Sequence, residues 1–329
     1  MIITLVVELQ LRHHVPALFA GKARLGALSL LVTFVIDDKY LNQLLFVLYQ
    51  CAKNAIRDHE YVIFFKRLEL TSISEVTRMA AILNVRVQLK QINDFQSSFD
   101  NGHIASASML RLTVPHHLDK TYMHLDVDTL PLKGWDDIES FSPSAHEIIS
   151  AVPIPSLHLE ISSEQNEAVR VMGPDYFQTG IYLLNPENWD QNMISDRIRA
   201  AINEYSILGF QFSDQCILNY VIQKSYQRIP EAYNAFPRRF GFKSTFIIHF
   251  AGPNKPWQID YLKHFINLFR HSLSARHTLS LLSKGEYRIA FQSFLSRFRD
   301  FVSEIYCYLL YKARYAKFKR SFLTNRLTA

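Results

Sequence analysis

The sequence predicts an α/β fold with a mainly parallel β-sheet. Short apolar runs typical of buried strands occur at 28–36 and 61–66, residues 85–90 alternate like a strand, and segments with apolar residues at helical spacing follow these runs. Strands that alternate with helices form parallel sheets, because parallel neighbours need a long crossover connection. The chain is 48% hydrophobic and 20% charged, so we expect most of it to fold around a sizeable core.

The first half of the sequence gives the clearest elements. LSLLVTFVI at 28–36 is an almost continuous apolar run that ends at DDKY, as expected of a fully buried strand. Ser72 and Glu75 have the spacing of a capping box, and the helix predicted at 105–114 should end before Pro115. In order, the sequence predicts a strand at 28–36, a helix from Leu41, a strand at 61–66, a helix at 72–83, a strand at 85–90 and a helix at 105–114.

The second half continues this pattern. TYMHLDVDTL at 121–130 is predicted to be a strand that ends in two aspartates, and YFQTGIYLLN at 176–185 is another strand. One helix is predicted from 187 to 205, and a second at 213–224 starts at a serine cap. FIIHFAGPNKPW at 246–257 is a strand that breaks at glycine and proline, and the rest of the chain is predicted to be mainly helical.

Acidic residues stand at the ends of the predicted strands. Asp37 and Asp38 follow the first strand, and Asp126 and Asp128 close the run TYMHLDVDTL. Open parallel sheets bind ligands outside the carboxyl ends of their strands, so these carboxylates are expected to converge on one crevice. Two hard carboxylate oxygens favour Mg²⁺ or Mn²⁺ over Zn²⁺. The alternative is a pair of solvated turn carboxylates, because an Asp-x-Asp triplet is also expected by chance in a chain of this length.

Five segments make the sequence similar to a known family between about Leu28 and Trp257. VIDDKY, LDVDTL, YFQTGIYLLN, SDQCILN and IIHFAGPNKPW together resemble glycosyltransferase family 8. The resemblance implies a GT-A Rossmann-like fold with a mainly parallel mixed sheet and a retaining transferase that moves glucose or galactose from a UDP-sugar. Its bacterial lipopolysaccharide and lipooligosaccharide branch implies a core saccharide or lipid-linked glycan acceptor. The corresponding domains are an N-terminal extension at 1–26, a catalytic domain at 27–257 and a C-terminal helical region at 258–329.

The resemblance also implies a bound Mn²⁺, with Mg²⁺ as the alternative. Asp126 and Asp128 match the family's DxD motif, which holds the metal against the donor diphosphate, and His249 matches the third protein ligand. Val127, between the two aspartates, is expected to contact the substrate. Lys255 is expected to stabilise the charge that develops on the leaving diphosphate.

Further residues match the family's nucleotide contacts. Asp37 corresponds to the aspartate that hydrogen-bonds the uracil, and Tyr40 to the ring that stacks on it. Gly252 would allow the backbone to approach the phosphates closely. Lys39 stands where the family usually has asparagine. As structural alternatives, Asp37 would be an ordinary strand-end acid and Tyr40 a packed ring.

The donor-sugar contacts implied by the resemblance involve Arg111, Gln178, Thr179, Asp214 and Gln215. Gln178 and Thr179 replace the family's common Asn-Ser, and they keep an amide and a hydroxyl. Asp214 would bind hydroxyls of the sugar, whereas Gln215 would lie near the anomeric carbon. An amide is a poor nucleophile, so Gln215 suits same-face attack rather than the covalent intermediate of a retaining glycosidase. Alternatively, Asp214 and Gln215 only cap a helix.

Departures from the family pattern keep other functions open. Lys39, Gln178 and Cys216, which replaces a family aspartate, are compatible with a relative that binds a UDP-sugar without turning it over. A metal-dependent phosphohydrolase that uses the same aspartates is a third hypothesis.

The positive charge of the chain is concentrated at its C-terminal end. Six basic residues and no acid occur from Tyr311 onward, which leaves 30 basic against 30 acidic residues in the rest. This asymmetry predicts that the tail binds an anionic membrane, with interleaved aromatic rings in the headgroup region. The neutral body and the lack of a nucleic-acid motif argue against nucleic acid. The tail residues are Lys312, Arg314, Lys317, Lys319, Arg320 and Arg326, with Tyr311, Tyr315, Phe318 and Phe322 between them.

The sequence also gives expectations about location. No run of 18 apolar residues occurs, and the apolar start MIITLVVELQLRHHV lacks the basic region of a signal peptide. Cys51, Cys216 and Cys307 are scattered, so buried free thiols in a reducing compartment are expected. The predicted location is the cytoplasm, with peripheral attachment at the inner face of the membrane.

Overall fold

The computed structural model describes residues 30–92, 109–154, 166–204, 208, 213–223, 225–239, 244–258, 260–261, 263, 266 and 287–327. The extension predicted at 1–26 lies outside these residues. The chain divides into two compact units, the first with Met1–Val127 and Lys133–Glu231 and the second with Asp128–Leu132 and Ala232–Ala329. The boundary therefore falls inside the Asp-Val-Asp motif. The domain division at 257 stays a prediction.

Nine strands and seven α-helices are present in the described residues. The strands are β1 (Leu31–Ile36), β2 (Glu60–Phe65), β3 (Arg86–Gln91), β4 (Tyr122–Leu125), β5 (Thr129–Pro131), β6 (Ile149–Pro153), β7 (Phe177–Leu184), β8 (Tyr226–Arg228) and β9 (Ile247–His249). The α-helices are α1 (Leu41–Asn54), α2 (Leu70–Leu83), α3 (Glu167–Met172), α4 (Pro186–Gln191), α5 (Ile194–Asn203), α6 (Ser213–Ile222) and α7 (Tyr287–Leu327).

The first unit is built on a seven-stranded mixed sheet in the order β3-β2-β1-β4-β7-β6-β8. The pairs among β3, β2, β1 and β4 are parallel, and β7 runs antiparallel to both β4 and β6. β1, β2, β4 and β7 are buried along most of their length, because residues pack on both faces of the sheet centre. Since β1 and β4 are parallel neighbours, Asp37 and Asp126 follow strands that end at the same edge.

The helix predicted from Ser72 begins instead at Leu70. Glu69 occupies the cap position without a side-chain cap, so the predicted capping box of Ser72 and Glu75 is wrong. The Ser72 hydroxyl donates to Asp38 Oδ1 at 2.7 Å, and the same oxygen accepts from the backbone N–H of Glu69 at 3.1 Å. Asp38 therefore ties the start of α2 to the end of β1.

Three other predicted elements differ in detail. The helix predicted across 187–205 is broken into α4 and α5 at Met193, whose φ is +51°. The strand predicted at 121–130 splits into β4 and β5, with the Asp-Val-Asp segment between them. Within the predicted helix at 105–114, residues 105–108 lie outside the described part, and Arg111–His117 is a 3₁₀-helix that includes Pro115 instead of ending before it.

The second unit contains a two-stranded sheet and the long helix α7. β5 pairs with β9 in antiparallel orientation, which places Thr129 opposite His249. α7 has 41 residues and buries one face, on which Tyr311 is 2% and Phe318 4% exposed. The Tyr311 ring contacts Phe250 with 5.5 Å between the ring centroids. These two aromatic rings are therefore packed in the unit, contrary to the prediction that they enter a membrane.

The three cysteines are free and buried, as predicted. Among the described helices, none is both long and apolar enough to cross a membrane.

Candidate active site

A buried guanidinium gathers the acidic residues of the first unit. Arg111, 12% exposed at its side chain, lies 3.1 Å from Asp126 Oδ1 through Nη2 and 3.2 Å from Asp214 Oδ2 through Nε. Its Nη1 also donates to the carbonyl oxygen of Thr179 at 3.0 Å. Two carboxylates that would repel each other are thus held around one cation.

Local structure explains how these residues meet. Asp126 follows β4, and its backbone N–H donates to Gly180 O at 2.8 Å, beside the antiparallel pairing of β4 and β7. Asp214 is in the first turn of α6, where the helix dipole favours a negative charge. Burial raises the pKa of Asp214, whereas the charge of Arg111 opposes that rise. The Thr179 hydroxyl lies 3.4 Å from the Asp214 carboxylate.

Side-chain amides of α6 bind the backbone at the start of β7. Asn219 Oδ1 accepts from the Phe177 N–H and Asn219 Nδ2 donates to the Phe177 carbonyl, both at 2.8 Å. Gln215, one helical turn earlier, accepts through Oε1 from the Thr179 N–H at 3.4 Å. Because these contacts fix α6 against β7, they set where Asp214 and Gln215 lie.

Gln178 is nearly buried, and its amide oxygen accepts from the Gly180 N–H two residues along the same strand. The predicted donor-sugar set of Arg111, Thr179, Asp214 and Gln215 is therefore joined by direct contacts, and Gln178 lies next to Thr179 in β7. Val127 is half-buried in the segment between β4 and β5.

A buried histidine that the sequence reasoning missed completes this cluster. His124 Nε2 lies 3.1 Å from Asp126 Oδ1, and its ring stacks on Tyr182 with centroids 5.0 Å apart. Its position two residues before Asp126 was a usable signal, because residues i and i+2 of a strand face the same side.

The second unit holds Asp128 between two basic side chains. His249 Nε2 lies 3.1 Å from Asp128 Oδ1, and the Lys255 ammonium pairs with Asp128 Oδ2. Lys255 also donates to the carbonyl of Phe250 at 3.0 Å. His249 is 1% and Asp128 13% exposed at the side chain, so both side chains are largely screened from water.

The orientation of His249 is set by Asn234. Nδ1 of the ring lies 2.9 Å from Asn234 Oδ1, an oxygen that can only accept, so Nδ1 carries the proton. In the neutral form of the ring, the lone pair is on Nε2, which faces Asp128. A histidine whose second nitrogen donates to an outer partner is the usual arrangement of a metal-ligating imidazole. Asn234 was missed because it is 15 residues from His249 in sequence.

Other predicted residues lie in turns. Asp37 caps the short 3₁₀-helix Asp38–Tyr40, where its side chain accepts from the Lys39 N–H at 3.0 Å. Tyr40 is 39% exposed, which leaves its ring accessible for stacking. Gly252 has φ +96°, a conformation that glycine adopts without strain. A Cβ at Gly252 would meet no atom within 4 Å, so its turn conformation rather than crowding explains the glycine.

Solved structures of similar fold are glycosyltransferases. The galactosyltransferase LgtC in complex with donor and acceptor sugar analogues is 18% identical, with a TM-score of 0.59 over 70% of this chain and 90% of that one. The bifunctional glycosyltransferase WbbM is 18% identical, with a TM-score of 0.58 over 71% of this chain and 47% of that one. These similarities show that the chain has the GT-A fold, as the sequence predicted.

The family model of glycosyl transferase family 8 matches residues 31–260, and the chain belongs to this family. A putative glycosyltransferase of Haemophilus influenzae is 21% identical over 69% of this chain and 72% of its own length. General stress protein A of Bacillus subtilis is 23% identical over 64% of this chain and 77% of its own length. The lipopolysaccharide glucosyltransferase WaaO of Escherichia coli is 31% identical over 25% of this chain and 27% of its own length.

Arg111→Ala is expected to destabilise the protein most at neutral pH. The substitution leaves the carboxylates of Asp126 and Asp214 without their guanidinium, and breaking a buried ion pair in this way costs about 3–5 kcal/mol. Without Arg111 the pKa of Asp214 rises further. An acid whose folded-state pKa is raised destabilises the fold above that pKa, and this penalty declines as the pH falls through it toward the unfolded-state value.

Urea unfolding at neutral and at mildly acidic pH measures this effect, and the difference from the unsubstituted protein should shrink at the acidic pH. Arg170→Ala is the matched control, because Arg170 forms an exposed pair with Glu167 in the same unit. A difference for Arg111→Ala that is as small as that of the control, or that is constant with pH, would contradict the proposed charge balance.

Proposed function

We propose that the protein transfers glucose or galactose from a UDP-sugar to a saccharide acceptor with retention of anomeric configuration. The observation that supports this most is the Arg111 contact with both Asp126 and Asp214. It joins the first residue of the family's DxD motif to the aspartate that matches the family's sugar-binding position. A carboxylate pair held around one guanidinium offers both acceptors and a donor to sugar hydroxyls.

We further propose that Asp126, Asp128 and His249 hold one divalent cation, Mn²⁺ with Mg²⁺ as the alternative. Asp128 and His249 fit this role, since the imidazole faces the carboxylate with its lone pair and is oriented by Asn234. Asp126 is two residues from Asp128, so their Cα atoms are at most about 7 Å apart by chain geometry. A bound cation of this kind supplies electrostatic stabilisation to a leaving diphosphate.

The nucleotide would occupy the edge of the sheet after β1. Asp37 would accept from the uracil and Tyr40 would stack on it, which its exposed ring allows. Val127 would contact the nucleotide beside the metal ligands. Gly252 would let the backbone N–H groups of its turn approach the phosphates.

The donor sugar would lie against Arg111, Gln178, Thr179 and Asp214. Gln215 would face the anomeric carbon and steady its oxocarbenium-like charge with the amide oxygen. The acceptor hydroxyl would attack on the face from which the diphosphate leaves. The bond from carbon to phosphate oxygen breaks, the bond to the acceptor oxygen forms, and the acceptor proton passes to the leaving phosphate oxygen.

Lys255 would have two successive partners. In the free protein its ammonium neutralises Asp128. Asp128 would also hold the divalent cation, and like charges would then favour release of the ammonium, which could pair with the phosphates of the donor. Lys255 would thus stabilise the negative charge of the leaving group.

The acceptor we propose is a lipopolysaccharide or lipooligosaccharide core, or a similar lipid-linked glycan, at the inner face of the membrane. The supporting observations are the local identity to WaaO and the basic end of α7. Helix α7 has an exposed apolar stripe at the spacing of one helix face, followed by exposed basic residues. The stripe is formed by Leu295, Phe298, Val302, Tyr306 and Leu309, and the basic residues are Lys317, Lys319 and Arg320.

A panel of UDP-hexoses with Mn²⁺ and saccharide acceptors tests the proposed activity through the release of UDP. UDP should be released from UDP-glucose or UDP-galactose, and Asp126→Asn should abolish release because it removes a charged metal ligand. Asp137→Asn, in a 3₁₀-helix of the same unit where the carboxylate pairs with Arg57, should leave it unchanged.

Each other outcome contradicts the transferase. Binding of a UDP-sugar in calorimetry without release of UDP would indicate a nucleotide-sugar-binding protein. Release of UMP would indicate a phosphohydrolase. If no UDP-hexose is bound or cleaved, UDP-hexoses are not the donors of this protein.

Sedimentation with lipid vesicles tests the membrane partner. Replacing Lys317, Lys319 and Arg320 by alanine should weaken binding to anionic vesicles about 100-fold, since each basic residue contributes about 1 kcal/mol near an anionic surface. Alanines at Lys53, Arg170 and Arg199, exposed basic residues of the first unit, are the matched control. Equal binding to neutral and anionic vesicles, or equal loss in both triple variants, would contradict the proposed surface.

A further inference from the structure

A buried chain of hydrogen-bonding groups adjoins Gln215 in the first unit. The Tyr176 hydroxyl lies 3.3 Å from Gln215 Nε2 and 3.2 Å from Cys216 Sγ. Asn166 Nδ2 donates to the same sulfur at 3.3 Å. Tyr176, Cys216 and Asn166 are each at most 1% exposed. None of these three residues has a part in the proposed contacts to nucleotide, metal or sugar.

The chemistry of these groups fixes the orientation of the Gln215 amide. The Thr179 N–H can only donate, so the amide of Gln215 faces it with Oε1 and faces Tyr176 with the NH₂ group. The Tyr176 oxygen accepts from that NH₂ group, and the Tyr176 hydroxyl also forms a hydrogen bond with Cys216 Sγ. Burial raises the pKa of Tyr176, and the neighbouring thiol adds to this, so the phenol keeps its proton.

We infer that Tyr176 is a positioning residue for Gln215, and that Cys216 and Asn166 hold the Tyr176 hydroxyl in place. This inference rests on the proposed function, in which Gln215 faces the anomeric carbon. The terminal torsion of a glutamine is soft and roughly two-fold, so an unrestrained amide turns over easily. Contacts at both ends select the orientation in which Oε1, with its second lone pair, can face a developing positive charge.

Cys216 can hold the Tyr176 hydroxyl although, by resemblance, it replaces the aspartate that is usual at this position. On sequence alone, this replacement is compatible with a relative that binds a UDP-sugar without turning it over. In the structure the sulfur accepts from Asn166 Nδ2 and forms a hydrogen bond with the Tyr176 hydroxyl, and all three residues are buried. The departure therefore leaves the orientation of Gln215 supported.

Tyr176→Phe tests the inference, because it removes one hydroxyl and keeps the ring. We expect kcat for hexose transfer to fall about tenfold with KM for the UDP-sugar changed less than twofold, as for a misoriented group that acts in the transition state. In a Gln215→Ala background, Tyr176→Phe should have no further effect, because the residue acts through Gln215. Tyr226→Phe is the matched control, since the ring of this partly buried tyrosine packs on Phe177 and its hydroxyl has no hydrogen-bond partner among the described residues.

The outcomes separate the inference from the proposed function. If the unsubstituted protein releases no UDP from any UDP-hexose, the proposed function fails. If it turns over and Tyr176→Phe lowers kcat equally with and without Gln215, the hydroxyl is only structural and the inference fails. If the activity of Gln215→Ala is too low to measure, the kcat and KM of Tyr176→Phe decide. A lower kcat with an unchanged KM supports the positioning role. An unchanged kcat, a raised KM, or the same kinetic changes as in Tyr226→Phe overturns it.

Discussion

The Asp128 carboxylate contacts both the His249 imidazole and the Lys255 ammonium. The proposed chemistry of the site depends on which of these groups balances the charge of Asp128. His249 is held by Asn234 so that its neutral form directs a lone pair at the carboxylate, 3.1 Å away. Two such groups repel unless a proton or a metal cation lies between them. Lys255 neutralises the same carboxylate from its other oxygen. The arrangement therefore suits a carboxylate that passes from a lysine to a divalent cation.

In the first unit the negative charges of Asp126 and Asp214 are balanced by the guanidinium of Arg111, which is always protonated. Arg111 compensates Asp126 and Asp214 at once, and α6 is fixed to β7 by side-chain amides rather than by a neighbouring strand. β4 pairs only with residues 181–184 of β7. The backbone of Phe177 and Thr179, earlier in β7, is bound instead by the side chains of Asn219 and Gln215. The proposed sugar site would be preorganised, because its polar groups are oriented before a donor binds.

The sequence predicted the fold well where hydrophobic periodicity was strong, as in β1, β2 and α1. The prediction was wrong where a side chain binds a partner far away in the sequence. The Ser72 hydroxyl, for example, hydrogen-bonds Asp38 instead of capping its own helix. Similarly, Tyr311 and Phe318 are spaced like membrane-facing aromatics but pack in the second unit. For the site, motif resemblance found the residues expected to touch ligands. It missed Asn234 and Tyr176, because such supporting partners are defined by three-dimensional contact and not by a local pattern. His124 did have a local signal, its position two residues before Asp126, and was missed all the same.

The most direct test of the account is a Mn²⁺ titration of the full chain without nucleotide, for the unsubstituted protein, His249→Ala and Lys255→Ala. The two substitutions should change the affinity for Mn²⁺ in opposite directions. His249→Ala should weaken Mn²⁺ binding about 10-fold or more because a ligand is lost, whereas Lys255→Ala should strengthen it because a competing cation leaves Asp128. If both variants weaken binding, or if neither changes it, Asp128 is not the shared carboxylate and the proposed cation site is wrong.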